Sequence, residues 1–217
     1  MRHSCLKLCF LAVPNIDMDK LTLAFQYFDE YNKKDPHIFI WKGENYPQEY
    51  FFALKLHEWV LQLAPDASEE LRLASRCQHI GRWEIARSTF PDNREGYLRW
   101  RKALATFHAE KASEILEKVG YSKTMIDRVK EIVLKKRLKL DRDVQHIENA
   151  LCLVFLQYQY EDFYPLHEDK IVTILKKSLI KMDENGHRFA LSLPYSEKGL
   201  QYIHEALHQL QASKHGK

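Results

Sequence analysis

Apolar side chains recur at helical spacing along most of this chain, from Leu21 to Leu210. Such a repeat of three and four residues is typical of helices that bury one face. The 217 residues include only seven glycines and seven prolines, which are too few for the many turns of an all-β architecture. We therefore predict an all-α fold, a single-domain helical bundle of seven or eight helices around one core.

Residues that begin or end helices divide this pattern into elements. Asp66 with Glu69 resembles a capping box, Ser122 is a typical N-cap and Gly120 is a typical helix end. The predicted helices span residues 16–32, 49–63, 66–79, 97–119, 122–138, 143–163, 169–182 and 196–212. Between them we expect a loop or short extended piece and a polar, aromatic loop, over residues 37–48 and 80–96.

The predicted organisation has three regions: an N-terminal extension over residues 1–15, an HD-like helical domain over 16–195, and a C-terminal amphipathic helix with a basic tail over 196–217. The apolar run Leu8–Val13 is too short to span a membrane, so we expect no membrane association. Cys77 and Cys152 lie in apolar helical contexts, which indicates buried reduced thiols and a cytoplasmic protein.

Residues 76–87 concentrate side chains that carry chemistry: His79, Arg82, Trp83, Glu84 and Arg87. Imidazole and carboxylate groups suit a divalent metal ion. Guanidinium and indole groups suit phosphate and stacked bases, because the planar donor fork of arginine matches phosphate oxygens. We therefore predict that the functional site lies here.

Candidates elsewhere in the chain extend this set. The predicted metal ligands are His57, His79 and His108, and the predicted general bases are Glu84 and Glu148. The predicted substrate-binding residues are Arg82, Trp83, Arg87, Tyr97, Trp100 and Arg101. Structural interpretations stay open, since a helical histidine often makes one hydrogen bond and Glu84 could simply pair with a neighbouring arginine. The basic run 135–139 is predicted to be a solvated helix end.

Three segments resemble the HD-domain superfamily, all-helical proteins whose metal ligands come from several core helices: His79-Ile-Gly-Arg82, the run from His108 to Leu116, and the run from Gln145 to Ala150. The superfamily pattern has aspartates where this chain has Ile80 and Asn149. An apolar side chain cannot replace a carboxylate ligand. The resemblance therefore implies a remodelled single-metal site, with His79, His108 and either Glu84 or Glu148, rather than a standard two-metal centre.

Residues 20 to 195 also resemble a family known as domain of unknown function 4202. The resemblance is carried by the segments Leu63–Leu71, Gln78–Glu84, Arg94–Arg101, Phe107–Glu110 and Cys152–Leu156. It implies a shared site formed by His79, Arg82, Trp83, Glu84, Arg87, Tyr97, Trp100, Arg101, His108 and Glu148. The chain departs from the family at Ala86, where proline is usual, and at His57, where histidine is uncommon.

Together these features predict a metal-dependent phosphohydrolase that acts on a nucleotide or another phosphorylated small molecule. A divalent metal would polarise the phosphoryl oxygen and activate a water, while arginines would neutralise the developing charge. The alternative is a non-catalytic nucleotide- or RNA-binding module with a lost metal centre. The net charge of +3 is too small to indicate a polyanion partner by itself. The pattern does not specify the metal, the substrate or the oligomeric state.

Overall fold

A computed structural model describes residues 19–215 of the chain. The predicted N-terminal extension, residues 1–15, therefore lies outside the described residues. The elements in chain order are α1 (Lys20–Asn32), β1 (Ile38–Trp41), β2 (Glu44–Pro47), α2 (Gln48–Leu63), α3 (Glu69–Cys77), α4 (Arg94–Val119), α5 (Lys123–Val133), α6 (Arg142–Tyr158), α7 (Tyr160–Phe163), α8 (Ile171–Leu179), α9 (Glu184–Leu191) and α10 (Glu197–His215). The all-α class is confirmed, and the number of helices exceeds the seven or eight that we predicted.

The count differs because one predicted helix is divided in two and one further helix forms where none was predicted. The helix predicted over residues 143–163 is interrupted at Gln159, whose backbone leaves the helical region at φ −129° and ψ −26°. The helix predicted over residues 169–182 is observed as α8, and α9 follows it in a segment for which no helix was predicted. The Asp183 side chain caps α9 by accepting from the Gly186 amide.

Helix boundaries follow local capping chemistry. Gly120 ends α4 in the left-handed conformation at φ +86°, and Ser122 caps α5, both as predicted. The predicted start at Asp66 is wrong, because Ser68 is the N-cap of α3 and its hydroxyl accepts from the Leu71 amide at 3.1 Å.

A short antiparallel hairpin forms over residues 38–47, where we predicted a loop or a short extended piece. β1 pairs with β2 through a turn at Lys42 and Gly43, both of which have positive φ, as type I′ hairpin turns require. The Phe39 ring lies 4.8 Å from that of Phe51, measured between ring centroids. This contact packs the hairpin onto α2.

The core is formed by helices that pack around α2, α3 and α6. α10 packs against α8, and its buried residues Ile203, Ala206 and Leu210 belong to the same hydrophobic cluster as the rest of the chain. Cys77 and Cys152 are free, buried thiols, as predicted. Among the described helices, none is both long and apolar enough to cross a membrane.

The turn after α3 positions the candidate site. Gly81 adopts φ +66°, and a Cβ atom built there would lie 2.7 Å from the Phe107 ring and 3.0 Å from the Tyr31 ring. Its amide donates to the Asn32 side chain at 3.4 Å. Only glycine fits this combination of backbone conformation and close packing.

We expect Gly81→Ala to destabilise the fold by about 3 kcal/mol, since it adds overpacking to the strain of a left-handed backbone. Gly120→Ala is the matched control, because its Cβ would meet only the flexible Lys20 ammonium at 3.9 Å. That variant should lose about 1 kcal/mol, from strain alone. Urea denaturation measures both free energies of unfolding, and equal losses would contradict the packing argument.

Candidate functional site

Three neighbouring cavities share lining residues and together are called the cleft here, and Arg82 lines all of them. The central cavity has a volume of about 350 Å³ and extends to Phe155. The histidine cavity, of about 250 Å³, contains His79 and His108. The indole cavity, of about 220 Å³, contains Trp83 and Trp100. His79, Arg101 and Lys135 line the first two cavities, whereas Gln48 and Glu49 line the first and third.

The structure brings His79 and His108 together although they are 29 positions apart. Their ring centroids are 5.7 Å apart. The Nδ1 of His108 lies 2.7 Å from the Ile80 carbonyl oxygen, which can only accept, so Nδ1 carries the proton and donates it. The His108 Nε2 atom is therefore the unprotonated nitrogen, which can accept a hydrogen bond from a ligand or bind a metal.

Both imidazoles are neutral at physiological pH. Burial lowers the pKa of His79 well below its usual range, and the positive charges of Arg82, Lys135 and Arg101 lower it further. Burial likewise lowers the pKa of His108 to about 4. The rings therefore add no positive charge to the cleft and present nitrogen lone pairs instead.

Glu49, in the first turn of α2, is the carboxylate closest to the imidazoles, and Asp35 is a second one that lines the indole cavity. The Oε1 of Glu49 lies 3.7 Å from the Arg82 Nε, and its Oε2 lies 4.0 Å from the His79 Nδ1. Burial raises the pKa of this carboxyl to about 7, although the nearby Arg82 charge opposes that rise. Glu49 can thus both donate and accept a proton near neutral pH.

A cationic wall faces these groups. It consists of Arg82, Arg101 and Lys135, and Lys102 joins them in the histidine cavity. The prediction that the basic run 135–139 is a solvated helix end is wrong at its first residue. Lys135 has φ +54°, which ends α5 at Val133 and directs the side chain inward. Its ammonium lies 2.7 Å from the Glu148 carboxylate.

Glu148 is held by two lysines rather than left free as a base. Lys181 approaches its other oxygen at 3.3 Å. Burial favours the protonated acid, but the two ammonium groups outweigh it and lower the pKa of Glu148. The carboxylate is not among the residues that line the three cavities. Its direct role is to hold Lys135 at the cleft.

His57 and Glu84 are not brought into the cleft. The His57 Nδ1 bonds the Ser75 hydroxyl at 2.7 Å, and its ring packs edge-on against Phe25 with centroids 5.0 Å apart. Burial lowers the pKa of His57 to about 4. Glu84 accepts a hydrogen bond from the Tyr31 hydroxyl on α1. These contacts separate both residues from the His79 and His108 pair.

Of the remaining predicted residues, Trp83, Arg87 and Trp100 line the indole cavity, whereas Tyr97 lines none of the three cavities. Trp100 donates its indole N–H to the Ile85 carbonyl at 2.9 Å, and the Arg82 guanidinium carbon lies 5.4 Å from the Trp100 ring centre. Arg87 lines the cavity but also donates to two backbone carbonyls at 2.9 Å, which stabilises the loop before α4. Tyr97 is exposed and accepts from the Arg101 guanidinium at 3.3 Å.

Sequence reasoning missed Glu49 and Lys135. Glu49 did carry a signal, because it lies three and seven positions before Phe52 and Leu56, on the apolar stripe of α2. A carboxylate at such a position must be buried or paired. Lys135 carried no comparable signal, since its neighbours are also cationic and only the left-handed backbone distinguishes it.

The residues fit an anion better than a divalent cation. Within residues 19–215, no group of three or more histidine, cysteine, aspartate or glutamate side chains is arranged to hold a metal. Asn149 donates its amide N–H to Asp183 at 2.8 Å. His79 and His108 offer nitrogen donors, but the cationic wall opposes a second positive charge beside them.

The profile of the family described as Domain of unknown function (DUF4202) matches residues 22–203, which is most of the chain. The chain belongs to this family. The match includes every residue of the cleft, from α1 to α8. No curated protein and no solved structure shows a significant match. Because the family description names no activity, the function of this DUF4202 protein must be argued from the chemistry of the cleft.

We expect Glu49→Gln to change how stability depends on pH. The folded protein keeps the Glu49 proton up to about pH 7, whereas the unfolded chain releases it near 4.5, so the wild type loses stability as the pH rises through this window. The variant cannot titrate at this position. The free energy of unfolding of the variant minus that of the wild type should therefore grow by about 3 kcal/mol between pH 4.5 and 7 and stay constant above.

Urea denaturation at a series of pH values measures this difference. Four imidazoles whose pKa is lowered by burial contribute with the opposite sign, but they are common to both proteins and cancel in the subtraction. Glu58→Gln, which removes an exposed carboxylate from the same helix, is the matched control. A flat difference for Glu49→Gln would show that Glu49 is ionised throughout.

Proposed function

We propose that the cleft binds a phosphorylated small molecule and hydrolyses its phosphate ester. The observation that carries this proposal is the convergence of Arg82, Arg101 and Lys135 on one cleft beside two neutral imidazoles. Guanidinium groups bind phosphate through paired N–H donors, and an ammonium adds a compact charge. A phosphate dianion would therefore find several cationic donors in a partly buried site.

The charge balance of the cleft supports an anionic ligand. Arg82 approaches Glu49, but burial keeps that carboxyl partly protonated near neutral pH. Lys135 shares the single charge of Glu148 with Lys181. Asp35, at the indole cavity, adds one more negative charge, but the wall with Lys102 still has more cations than there are anions within reach. A bound phosphate restores the balance in a region where screening by water is weak.

The groups present can perform hydrolysis without a resident metal. Glu49, in its acid form, donates its proton to the ester oxygen as the bond between phosphorus and that oxygen breaks. A water attacks phosphorus on the side opposite the leaving oxygen and releases one proton to solvent, and the Glu49 carboxylate is protonated again from solvent, so that an alcohol and inorganic phosphate leave. His108 accepts a hydrogen bond from the water through Nε2 and orients it. The arginines stabilise the charge on the transferring group.

Binding is tested by isothermal titration calorimetry with inorganic phosphate, pyrophosphate and ribose 5-phosphate. Arg82→Ala and Arg101→Ala should each weaken binding at least tenfold, because each removes a charged donor worth about 1.5–3 kcal/mol. Arg99→Ala is the matched control, since this exposed arginine lies two residues from Arg101 on α4 and does not line the cavities. Equal affinities in all four proteins, or no binding, would overturn the proposal.

Catalysis is tested by the release of inorganic phosphate from a panel of sugar, glycerol and nucleoside monophosphates. Glu49→Gln should lower turnover by about 10²-fold or more, the usual contribution of a general acid–base group, while ligand binding persists. The assay is run with a chelator and with added Mg²⁺ or Mn²⁺. Tight binding without turnover in any condition would favour the non-catalytic module, and turnover that requires the metal would overturn the metal-free mechanism.

A further inference from the structure

We infer that the phosphorylated ligand is a mononucleotide whose base occupies the indole cavity. The inference rests on the proposed function, because it assigns the part of the ligand that lies beyond the phosphate. The indole cavity adjoins the central cavity at Arg82, Gln48 and Glu49, which line both. A ligand can therefore extend from the cationic wall into the space beside the two tryptophans.

The indole cavity has the size and lining of a site for one heterocyclic ring system. Its volume of about 220 Å³ is below the usual range for a whole drug-sized ligand, which is about 300–1,000 Å³. Trp83, Trp100 and Ile85 supply its apolar surface. Base–aromatic stacking is a general source of nucleotide affinity, since every base has a π face.

Both indole rings are fixed before a ligand arrives. The hydrogen bond from the Trp100 ring nitrogen to the Ile85 carbonyl sets the plane of that indole. The Trp83 ring packs against Tyr31, with ring centroids 5.9 Å apart and a tilt of 37°. Rings held in place lose little side-chain entropy on binding, so more of the stacking energy contributes to affinity.

Polar groups border the apolar surface, as recognition of a base edge requires. Gln48 provides an amide with two donors and an acceptor, and His37 provides an exposed imidazole. Asp35 is buried, and its carboxylate accepts from the His37 backbone N–H and from the Glu49 backbone N–H, both at 2.9 Å. These bonds hold the polar border in place.

Arg82 joins the two halves of the proposed ligand. Its guanidinium carbon lies 5.4 Å from the Trp100 ring centre, and its Nε lies 3.7 Å from Glu49. One face of this residue is thus close to the base position and the other to the reacting phosphate. The base and the phosphate of one nucleotide, linked through ribose, fit this arrangement better than two separate ligands do.

The test compares AMP and CMP with ribose 5-phosphate, which lacks only the base, by calorimetry on the full chain. Both nucleotides should bind the wild type about tenfold or more tightly than ribose 5-phosphate. Trp100→Leu and Trp83→Leu should remove this preference and leave the affinity for ribose 5-phosphate unchanged. Trp100→Phe keeps an aromatic face and should retain most of the preference. Trp41→Phe, in the hairpin and outside the cleft, is the matched control.

The outcomes separate this inference from the proposed function. Equal binding of AMP and ribose 5-phosphate by the wild type would overturn the base site and leave the phosphate site intact. Absence of binding by all three ligands would overturn both. If a single-stranded RNA hexamer bound much more tightly than AMP, the ligand would be a polymer and the mononucleotide assignment would fail. A leucine variant that loses affinity for ribose 5-phosphate as well would indicate a structural role for that tryptophan.

Discussion

The hydrogen bond between His108 and the Ile80 carbonyl is the contact on which the cleft depends. It joins α4 to the turn that follows α3, and these two segments supply most of the cationic and imidazole groups. The same bond fixes the tautomer of His108. The buried Ile80 side chain anchors the turn in the core from the opposite side. A single backbone carbonyl therefore sets both the shape of the cleft and the chemical state of one of its rings.

Burial determines the charge of the cleft more than the number of titratable residues does. Desolvation removes the charge from two histidines and partly from Glu49, but it cannot deprotonate an arginine. His79 and His108, which in sequence suggest a metal centre, form in the fold a neutral lining with Glu49, beside fixed positive charges. The proposal that the cleft binds an anion rests on this difference between residue types.

The sequence is sufficient for those features that depend on local chemistry. Periodicity and scarce glycine predict the all-α class, and the boundary at Gly120 and Ser122 follows from capping preferences. His79 and His108 lie close together as expected, but His79 is in the turn after α3 and not on a helix. Features that depend on tertiary packing could not be predicted. His57 and Glu84 carry the right chemistry, but their partners, Ser75 and Tyr31, are 18 and 53 positions away.

The double pairing of Glu148 has a consequence for ligand exchange. A buried carboxylate that loses its only cation is strongly destabilised, so a lysine in a simple ion pair is rarely free to move. Glu148 has two ammonium partners, and Lys181 remains in contact with it if Lys135 turns toward a ligand. The Lys135 ammonium can therefore turn toward a ligand in the cleft and return to Glu148 when the ligand leaves. Lys181 keeps the buried carboxylate paired in both states.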